Sequence, residues 1–327
     1  MFINGLKSKV FLAPMAGITD KPMRQLVNSF GLGNIVSEMV AINALSRKNS
    51  KTYRIADVRD ENYPVVVQLV GSSPELFEDS AKLAEELGAY SIDINMGCPV
   101  KKIVANNSGS YLMKDMSLAA DIIKAVKNAT NLPVSVKFRK GWDHNSVNAV
   151  EFAKMCEDCG ASYITVHGRT RSDFYSGKAD WDIISEVKQS VKIPVVGNGD
   201  IDSPQKAKEM IDYTKVDAVM VGRAALGRPW LISQIHNYLD SGELAQDVEL
   251  SVIRDTLLKH IEGLRLYYGD RLALGLSRKY VCWYCKNLRD ARKFRERYVR
   301  IDNANEALNE IKAFFDKCET DAKEEGL

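Results

Sequence analysis

Long apolar runs and abundant cysteine are both missing from this 327-residue sequence. No stretch approaches the roughly 20 apolar residues of a membrane-spanning helix, and residues 1–9 lack the apolar core of a signal peptide. Six cysteines are too few for a disulfide scaffold in a chain of this length. We therefore expect a cytoplasmic, monomeric protein with reduced thiols and no membrane partner.

Two pairs of cysteines could in principle bind zinc. Cys156/Cys159 and Cys282/Cys285 both have the CxxC spacing that zinc sites use. Both pairs lie in segments with helical apolar periodicity, where residues three apart share one face. Core packing explains such pairs as well as metal binding does. We expect no metal site.

Eight short apolar segments, separated by helical patterns, dominate the first part of the chain. They begin about 25 to 40 residues apart, as in a repeated unit of strand and helix. The predicted strands are residues 10–13, 34–37, 63–69, 91–94, 133–138, 161–166, 193–196 and 218–221. This pattern predicts an α/β fold, a (β/α)₈ TIM barrel, over residues 1–240.

The remainder of the chain has a different periodicity. From Val248 onward, apolar residues recur at steps of three and four, as on one face of a helix. A further helix is expected from Asn303, because Glu306 has the spacing of a capping box. Residues 248–320 are therefore predicted to form a small all-helical domain.

Polar or conformationally special residues stand at or near the end of every predicted strand. The C-terminal ends of barrel strands surround the active site, so these residues are expected to converge on one ligand. Without a ligand, each buried polar group would need a partner inside the protein. The residues are Pro14, Glu38, Gln68, Asn95, Lys137, His167, Asn198 and Gly222.

Two glycine-bearing loops, at residues 197–200 and 222–227, follow the last two strands. Glycine lets backbone N–H groups approach a phosphate closely, and Arg223 adds a charged fork at the start of a short helix. Barrels often bind phosphate in these two loops. The residues alone leave open whether the ligand is a sugar phosphate or flavin mononucleotide (FMN).

A single thiol, Cys98, follows the fourth strand within the stretch Asn95-Met-Gly-Cys-Pro-Val-Lys-Lys. This stretch resembles the signature of the tRNA-dihydrouridine synthases, flavoenzymes that reduce uridine in tRNA. Its two lysines resemble the bacterial B-type branch of that family. Further similar motifs follow in order from Ala13 to Arg223, and a helical tail comes after them. The resemblance thus covers nearly the whole chain.

The resemblance implies FMN as the bound cofactor and a D-loop uridine of tRNA as the substrate. NADPH is implied as a transient reductant, since no G-x-G-x-x-G nicotinamide fingerprint follows a predicted strand. A hydride would reach C6 of uracil from reduced FMN while Cys98 protonates C5, because a free thiol with a pKa near 8.5 is mostly protonated at neutral pH.

The same resemblance assigns roles to the residues that follow the strands. Asn95, Lys101 and Arg139 are expected to contact the substrate. Contacts with FMN are expected from Pro14, Met15, Ala16, Gln68, Lys137, His167, Asn198, Gly199, Asp200, Gly222 and Arg223.

A basic stretch lies beyond the barrel. Residues 278–300 hold nine Lys or Arg against two acidic residues, a local charge of +7 in a chain of net charge +2. A solvated charged face over an aromatic core would give the same pattern, but beside a predicted flavin barrel we favour contacts with the RNA backbone, chiefly by Lys286, Arg289 and Lys293. The spacing predicts a single helical stripe made of Lys279, Lys286, Arg289, Lys293, Arg297 and Arg300.

Two alternatives remain open. One is an FMN barrel that acts on a free pyrimidine, as dihydroorotate dehydrogenases do, but this leaves the basic tail without a purpose. The other is an RNA-binding barrel without turnover, which leaves the ring of polar strand ends unexplained.

Overall fold

A closed barrel of eight parallel strands forms the centre of the computed structural model, which describes residues 5–324. Each strand pairs with the next along the chain, and the last pairs with the first. The strands are β1 (Val10–Leu12), β2 (Asn34–Ala41), β3 (Val65–Val70), β4 (Ser91–Met96), β5 (Val134–Arg139), β6 (Tyr163–His167), β7 (Val195–Asn198) and β8 (Ala218–Val221). The predicted TIM barrel is confirmed, and every predicted strand overlaps an observed one.

Helices follow or separate the strands and cover the outside of the barrel. Several begin with a side-chain cap and a proline in the first turn, as at Asp20, Ser73 and Ser203. The helices are α1 (Lys21–Asn28), α2 (Ile42–Ser46), α3 (Ser50–Ala56), α4 (Pro74–Glu86), α5 (Lys101–Val104), α6 (Met116–Ala129), α7 (Ala149–Asp158), α8 (Trp181–Ser190), α9 (Pro204–Thr214) and α10 (Leu231–Ser241).

The strands are buried on both faces, which explains why apolar residues dominate them and why β3 is a nearly continuous run of Val and Leu. One apolar layer fills the space between strands and helices. A smaller cluster that includes Phe11, Val36, Val66 and Tyr163 forms a second apolar layer. Buried polar side chains within the strands, such as Asp93, Ser135 and Thr165, are exceptions to this apolar filling.

Strand β2 is longer than the sequence predicts. It continues to Ala41 because its pairing with β3 shifts between Val36 and Met39, as at a β-bulge. In this irregular segment, the Glu38 carboxylate accepts a hydrogen bond of 2.5 Å from the backbone N–H of Gly17. Glu38 thus supports the loop after β1.

Four more helices complete the described chain: α11 (Leu250–Tyr268), α12 (Asp270–Tyr284), α13 (Ala291–Tyr298) and α14 (Ala304–Glu324). They share an apolar core, and Trp230 from the barrel packs into it. The Asn303 side chain accepts hydrogen bonds from the N–H groups of Asn305 and Glu306, so the predicted start of the last helix is confirmed. Within residues 5–324, no helix combines the length and apolarity needed to cross a bilayer.

The prediction of one helical basic stripe is wrong. Helix α12 ends at Tyr284 and α13 begins at Ala291, so Lys286 and Arg289 lie in the turn between them. The chain turns here because the aromatic residues of both helices pack into the same core, and Asp290 adopts a left-handed conformation (φ +55°). Lys279, on α12, is half-buried and donates a hydrogen bond to the carbonyl of Gly17.

Candidate active site

The C-terminal ends of the strands open into a cavity of about 830 Å³, a size that holds a cofactor-sized ligand. All eleven residues predicted to bind FMN line it, as do Asn95, Cys98 and Arg139. Of the eight predicted strand-end residues, Glu38 alone is absent from the lining. Lys101 lies in α5, outside the lining, and the predicted RNA-binding residues Lys286, Arg289 and Lys293 lie in the C-terminal helical segment.

The backbone around Cys98 is held from two sides. On one side, the Asn95 side-chain oxygen accepts hydrogen bonds from the N–H groups of Gly97 (3.2 Å) and Cys98 (2.9 Å). On the other, the N–H of Ser110 donates to the Cys98 carbonyl at 3.0 Å. Gly109 has φ +61°, and a Cβ there would lie 2.8 Å from the Cys98 carbonyl oxygen. Only glycine fits this close approach.

The thiol of Cys98 is held in its neutral form. Burial raises its pKa above the usual value, and this outweighs the N–H of Val100 and the nearby charges of Arg139 and Lys137, which lower it. The thiol is therefore protonated at neutral pH. The cationic side chains of Arg139 and Lys137 lie close enough to stabilise the thiolate that forms if Cys98 gives up its proton.

Behind Cys98, a buried polar layer connects three strands. The carboxylate of Asp93 accepts hydrogen bonds of 2.6 Å from both Gln68 and Ser135. The Gln68 side-chain oxygen accepts a hydrogen bond of 2.8 Å from the Asn95 amide. Both ends of the Gln68 amide thus already have a protein partner, which leaves one N–H and one lone pair for a ligand.

Lys137 and His167 line another part of the cavity. Lys137 donates to the Asn198 side-chain oxygen at 3.0 Å, and Asn198 in turn donates to the Met220 carbonyl at 2.8 Å. Burial and the charge of Arg139 lower the pKa of Lys137. Burial, followed by the nearby Lys and Arg charges, holds the pKa of His167 well below its usual value. His167 is therefore neutral at pH 7 and cannot act as a cationic acid.

At the predicted phosphate side, one carboxylate faces two guanidinium groups. Asp200, in a left-handed conformation (φ +57°), pairs with buried Arg169 at 2.8 Å and lies 3.5 Å from Arg223. Its carboxylate also accepts the N–H of Ala179 at 2.7 Å. One carboxylate and two guanidinium groups leave a net positive charge here, and the side chain of Arg223 is 54% exposed. This arrangement suits an anionic ligand.

Arg139 ties together two loops at the cavity mouth. It donates to the carbonyls of Gly97 (2.9 Å), Thr170 (2.8 Å) and Phe174 (2.9 Å) and is only 3% exposed. The ring of exposed Tyr175 lies 5.7 Å from the Arg139 guanidinium and 4.8 Å from that of Arg223. Arg139 therefore joins the loop after β4 to the loop after β6, and it also forms part of the cavity wall.

Sequence reasoning missed three residues that shape this site: Asp93, Arg169 and Tyr175. The first two were detectable, because Asp93 precedes Asn95 by two positions and Arg169 follows His167 by two. Side chains two apart in an extended segment point to the same face. Tyr175 lies in the loop after β6, where no periodicity predicts the direction of a side chain.

The cysteines of both CxxC pairs lie in packed helices or at their C-terminal ends. Cys156, on α7, is buried, and Cys285 is buried at the end of α12, while Cys282 is exposed. Across the described chain, no three His, Cys, Asp or Glu side chains lie close enough together to hold a metal ion.

Comparison with known proteins adds independent evidence. The family model described as dihydrouridine synthase matches residues 11–319. The chain is 42% identical to tRNA-dihydrouridine synthase B of Vibrio vulnificus (strain CMCP6), over 95% of this chain and 97% of that protein. It is 48% identical to a probable tRNA-dihydrouridine synthase of Rickettsia conorii (strain ATCC VR-613 / Malish 7), over 89% of this chain and 88% of that protein.

Two solved structures share the fold at low identity. The old yellow enzyme homologue from Zymomonas mobilis superposes with a TM-score of 0.53 at 16% identity, over 76% of this chain and 93% of that one. Histamine dehydrogenase from Rhizobium sp. 4-9 gives a TM-score of 0.58 at 14% identity, over 80% and 50%. The B designation of several relatives agrees with the predicted similarity to the B-type branch. The chain belongs to the dihydrouridine synthase family.

Proposed function

We propose that this protein is a flavin-dependent tRNA-dihydrouridine synthase that reduces the C5=C6 bond of a uridine in the tRNA D-loop. FMN is the bound cofactor, and NADPH is the transient reductant that renews it. The observation that carries this proposal is the placement of a neutral thiol, Cys98, in the same cavity as the polar strand ends.

The cavity fits FMN in both its size and the chemistry of its wall. The cation of Arg223, beside the positive-φ Gly199, suits a phosphate. Gln68 and Lys137 offer hydrogen bonds and a positive charge for the polar edge of the ring, where positive charge favours the anionic reduced form. When bound, FMN supplies the hydride that uridine reduction requires.

The residues around Cys98 are arranged for proton delivery. The thiol holds its proton at neutral pH, and Arg139 and Lys137 stabilise the thiolate that remains after transfer to C5 of uracil. His167 is neutral and is therefore a poorer acid. The remaining N–H of Asn95 lies in the same wall and is available to the uracil edge.

A uridine inside folded tRNA has to leave its stack to enter this cavity. The protein therefore needs a further surface that binds the rest of the RNA. Lys286, Arg289 and Lys293 lie on the exposed side of the turn between α12 and α13 and at the start of α13. Lys101 is exposed on α5, three residues after Cys98. We assign residues 248–320 to tRNA binding and residues 1–240 to the FMN barrel.

The direct test uses tRNA that lacks dihydrouridine. The purified protein is incubated with this tRNA, FMN and NADPH, and the products are mapped by mass spectrometry. Free uracil and orotate serve as parallel substrates. We expect dihydrouridine in the D-loop and no reaction of the free bases. Turnover of a free pyrimidine with unchanged tRNA would favour the dihydroorotate dehydrogenase-like alternative, and the absence of bound flavin would favour the non-catalytic one.

A further inference from the structure

Beneath the cavity, a continuous chain of hydrogen bonds crosses β3, β4 and β5. Ser135 donates to Asp93 (2.6 Å), and Gln68 donates to the other oxygen of the same carboxylate (2.6 Å). Asn95 donates to Gln68 (2.8 Å), and the backbone N–H of Cys98 donates to Asn95 (2.9 Å). Every bond after Ser135 runs in the same direction, from Cys98 toward Asp93. We call these five groups the Asp93 chain.

The direction of the chain is set at both of its ends, because the Asp93 carboxylate only accepts and the backbone N–H groups of Gly97 and Cys98 only donate. An ionised carboxylate has no N–H or O–H to donate, so Gln68 must turn its nitrogen toward Asp93. The Gln68 oxygen then faces Asn95 and accepts a hydrogen bond from the Asn95 side-chain nitrogen. The Asn95 oxygen is left to accept from Cys98. The carboxylate at one end and the two backbone N–H groups at the other thus hold both amides in a single orientation.

Burial makes this direction costly to reverse. Asp93 is 3% exposed, and Gln68 and Ser135 are not exposed at all. A reversed amide would set two oxygens against each other without water to separate them, and buried polar groups in such a state are destabilising. Burial raises the pKa of Asp93 to about 6, while the hydrogen bonds from Gln68 and Ser135 and the charge of Lys137 act in the opposite direction, so the carboxylate is mainly ionised at pH 7.

We propose that Asp93 is a positioning residue that holds the Gln68 amide in one orientation and, through it, supports Asn95 and the backbone of Cys98. The chain also decides which atoms remain for a ligand, namely one N–H on each amide and one lone pair on the Gln68 oxygen. Its purpose, to hold a proton donor, rests on the proposed function. The chain itself is testable without turnover.

The test compares three variants of the flavin-free protein. Asn95→Asp places a second acceptor opposite the Gln68 oxygen, so no orientation of Gln68 satisfies both neighbours. Asp93→Asn keeps the direction of the chain, because the Ser135 hydroxyl can turn to accept from the new amide. In the double variant Asp93→Asn/Asn95→Asp, both hydrogen bonds of Gln68 can reverse while the backbone N–H of Cys98 still donates to residue 95, so every group is again paired.

Two quantities are measured: the thermal midpoint, and the rate of Cys98 alkylation mapped by mass spectrometry. Asn95→Asp should lower the midpoint by roughly 3 to 8 °C, and its Cys98 should be alkylated about tenfold faster than that of the double variant, which has the same carboxylate near the thiol. The thermal midpoints of Asp93→Asn and of the double variant should both stay near that of the wild-type protein. If the double variant is as unstable as Asn95→Asp, or if Asn95→Asp behaves as wild type, the proposal is wrong.

Repulsion between two carboxylates would also be relieved in the double variant, so a second background separates the two causes. In Gln68→Met protein the middle link is missing. The Asp93 chain predicts that Asp93→Asn no longer rescues Asn95→Asp there, whereas charge repulsion predicts that it still does. These readouts use neither FMN nor tRNA. Their outcome therefore does not depend on whether the protein reduces uridine.

Discussion

The ammonium group of Lys279, on α12, donates a hydrogen bond to the backbone carbonyl of Gly17, in the loop after β1. The N–H of the same glycine donates to Glu38 on β2. Gly17 is therefore held by the C-terminal helices on one side and by the barrel on the other. Its neighbours Met15, Ala16 and Ile18 line the cavity. The helical segment thus contacts the proposed cofactor loop directly.

Lys279→Met should loosen this loop and weaken FMN binding several-fold. The reason is that the Gly17 carbonyl loses its charged donor, and hydrogen bonds to charged groups are worth about 1.5 to 3 kcal/mol. Titration of the flavin-free protein, followed by the quenching of flavin fluorescence, gives the dissociation constant. Lys259→Met, at an exposed position on α11, is the control. Equal affinities in the two variants would show that the contact does not shape the site.

Arg223→Ala should weaken FMN binding about tenfold to a hundredfold, because the variant has no guanidinium group to bind the phosphate in bidentate fashion. Arg47→Ala is the control, since Arg47 is exposed between α2 and α3, outside the cavity lining. Isothermal titration with FMN and with riboflavin, which lacks the phosphate, localises the effect. An equal loss of affinity for both ligands would place Arg223 away from the phosphate.

The triple variant Lys286→Ala/Arg289→Ala/Lys293→Ala should weaken tRNA binding. It should also flatten the dependence on salt by roughly 0.7 to 0.9 in log–log slope for each phosphate that the variant no longer neutralises. The control triple Lys82→Ala/Lys124→Ala/Lys154→Ala removes the same charge from exposed positions on α4, α6 and α7. Binding is measured by filter retention over a range of salt concentrations. Identical slopes for the two triples would identify the basic turn as a solvated surface.

Asp20 should make stability depend on pH at the contact between the barrel and the helical segment. It caps α1 through the Met23 N–H and accepts from Tyr268 on α11, and burial raises its pKa to about 6. The folded state thus prefers the protonated carboxyl. The protein should lose stability as pH rises from about 4 to about 6, by up to roughly 3 kcal/mol.

Asp20→Asn keeps a good N-cap but removes this loss. Its stability relative to the wild-type protein should therefore improve between pH 4 and pH 7 in urea unfolding experiments. A difference that is the same at both pH values would show that the buried carboxyl is not the cause.

The features that the sequence predicts well are those set by local chemistry. Short apolar segments that end in turn residues locate all eight strands, and the residues at the strand ends, with the exception of Glu38, identify the cavity wall. The features it misses depend on packing between distant segments. The β-bulge that accompanies the Glu38–Gly17 contact depends on pairing with β3, and the direction of Lys279 depends on how α12 docks. Helical spacing could not show that a turn separates Lys279 from Lys293.

Asp93 is an intermediate case. Its position two residues before Asn95 places it on the same face of β4, so its presence near the site follows from the period of a strand. Its role does not, because Gln68 and Ser135 come from other strands.

The central claim is that Cys98 delivers the proton to uridine, and the flavin reoxidation rate tests it most directly. FMN-loaded wild-type and Cys98→Ala proteins are first reduced with NADPH, a step that needs no proton transfer to uracil and should be unchanged. Each is then mixed with uridine-containing tRNA in a stopped-flow instrument. Reoxidation should be about 10²- to 10⁴-fold slower in the variant, the usual loss for a positioned acid. Reoxidation at the wild-type rate would contradict the assignment.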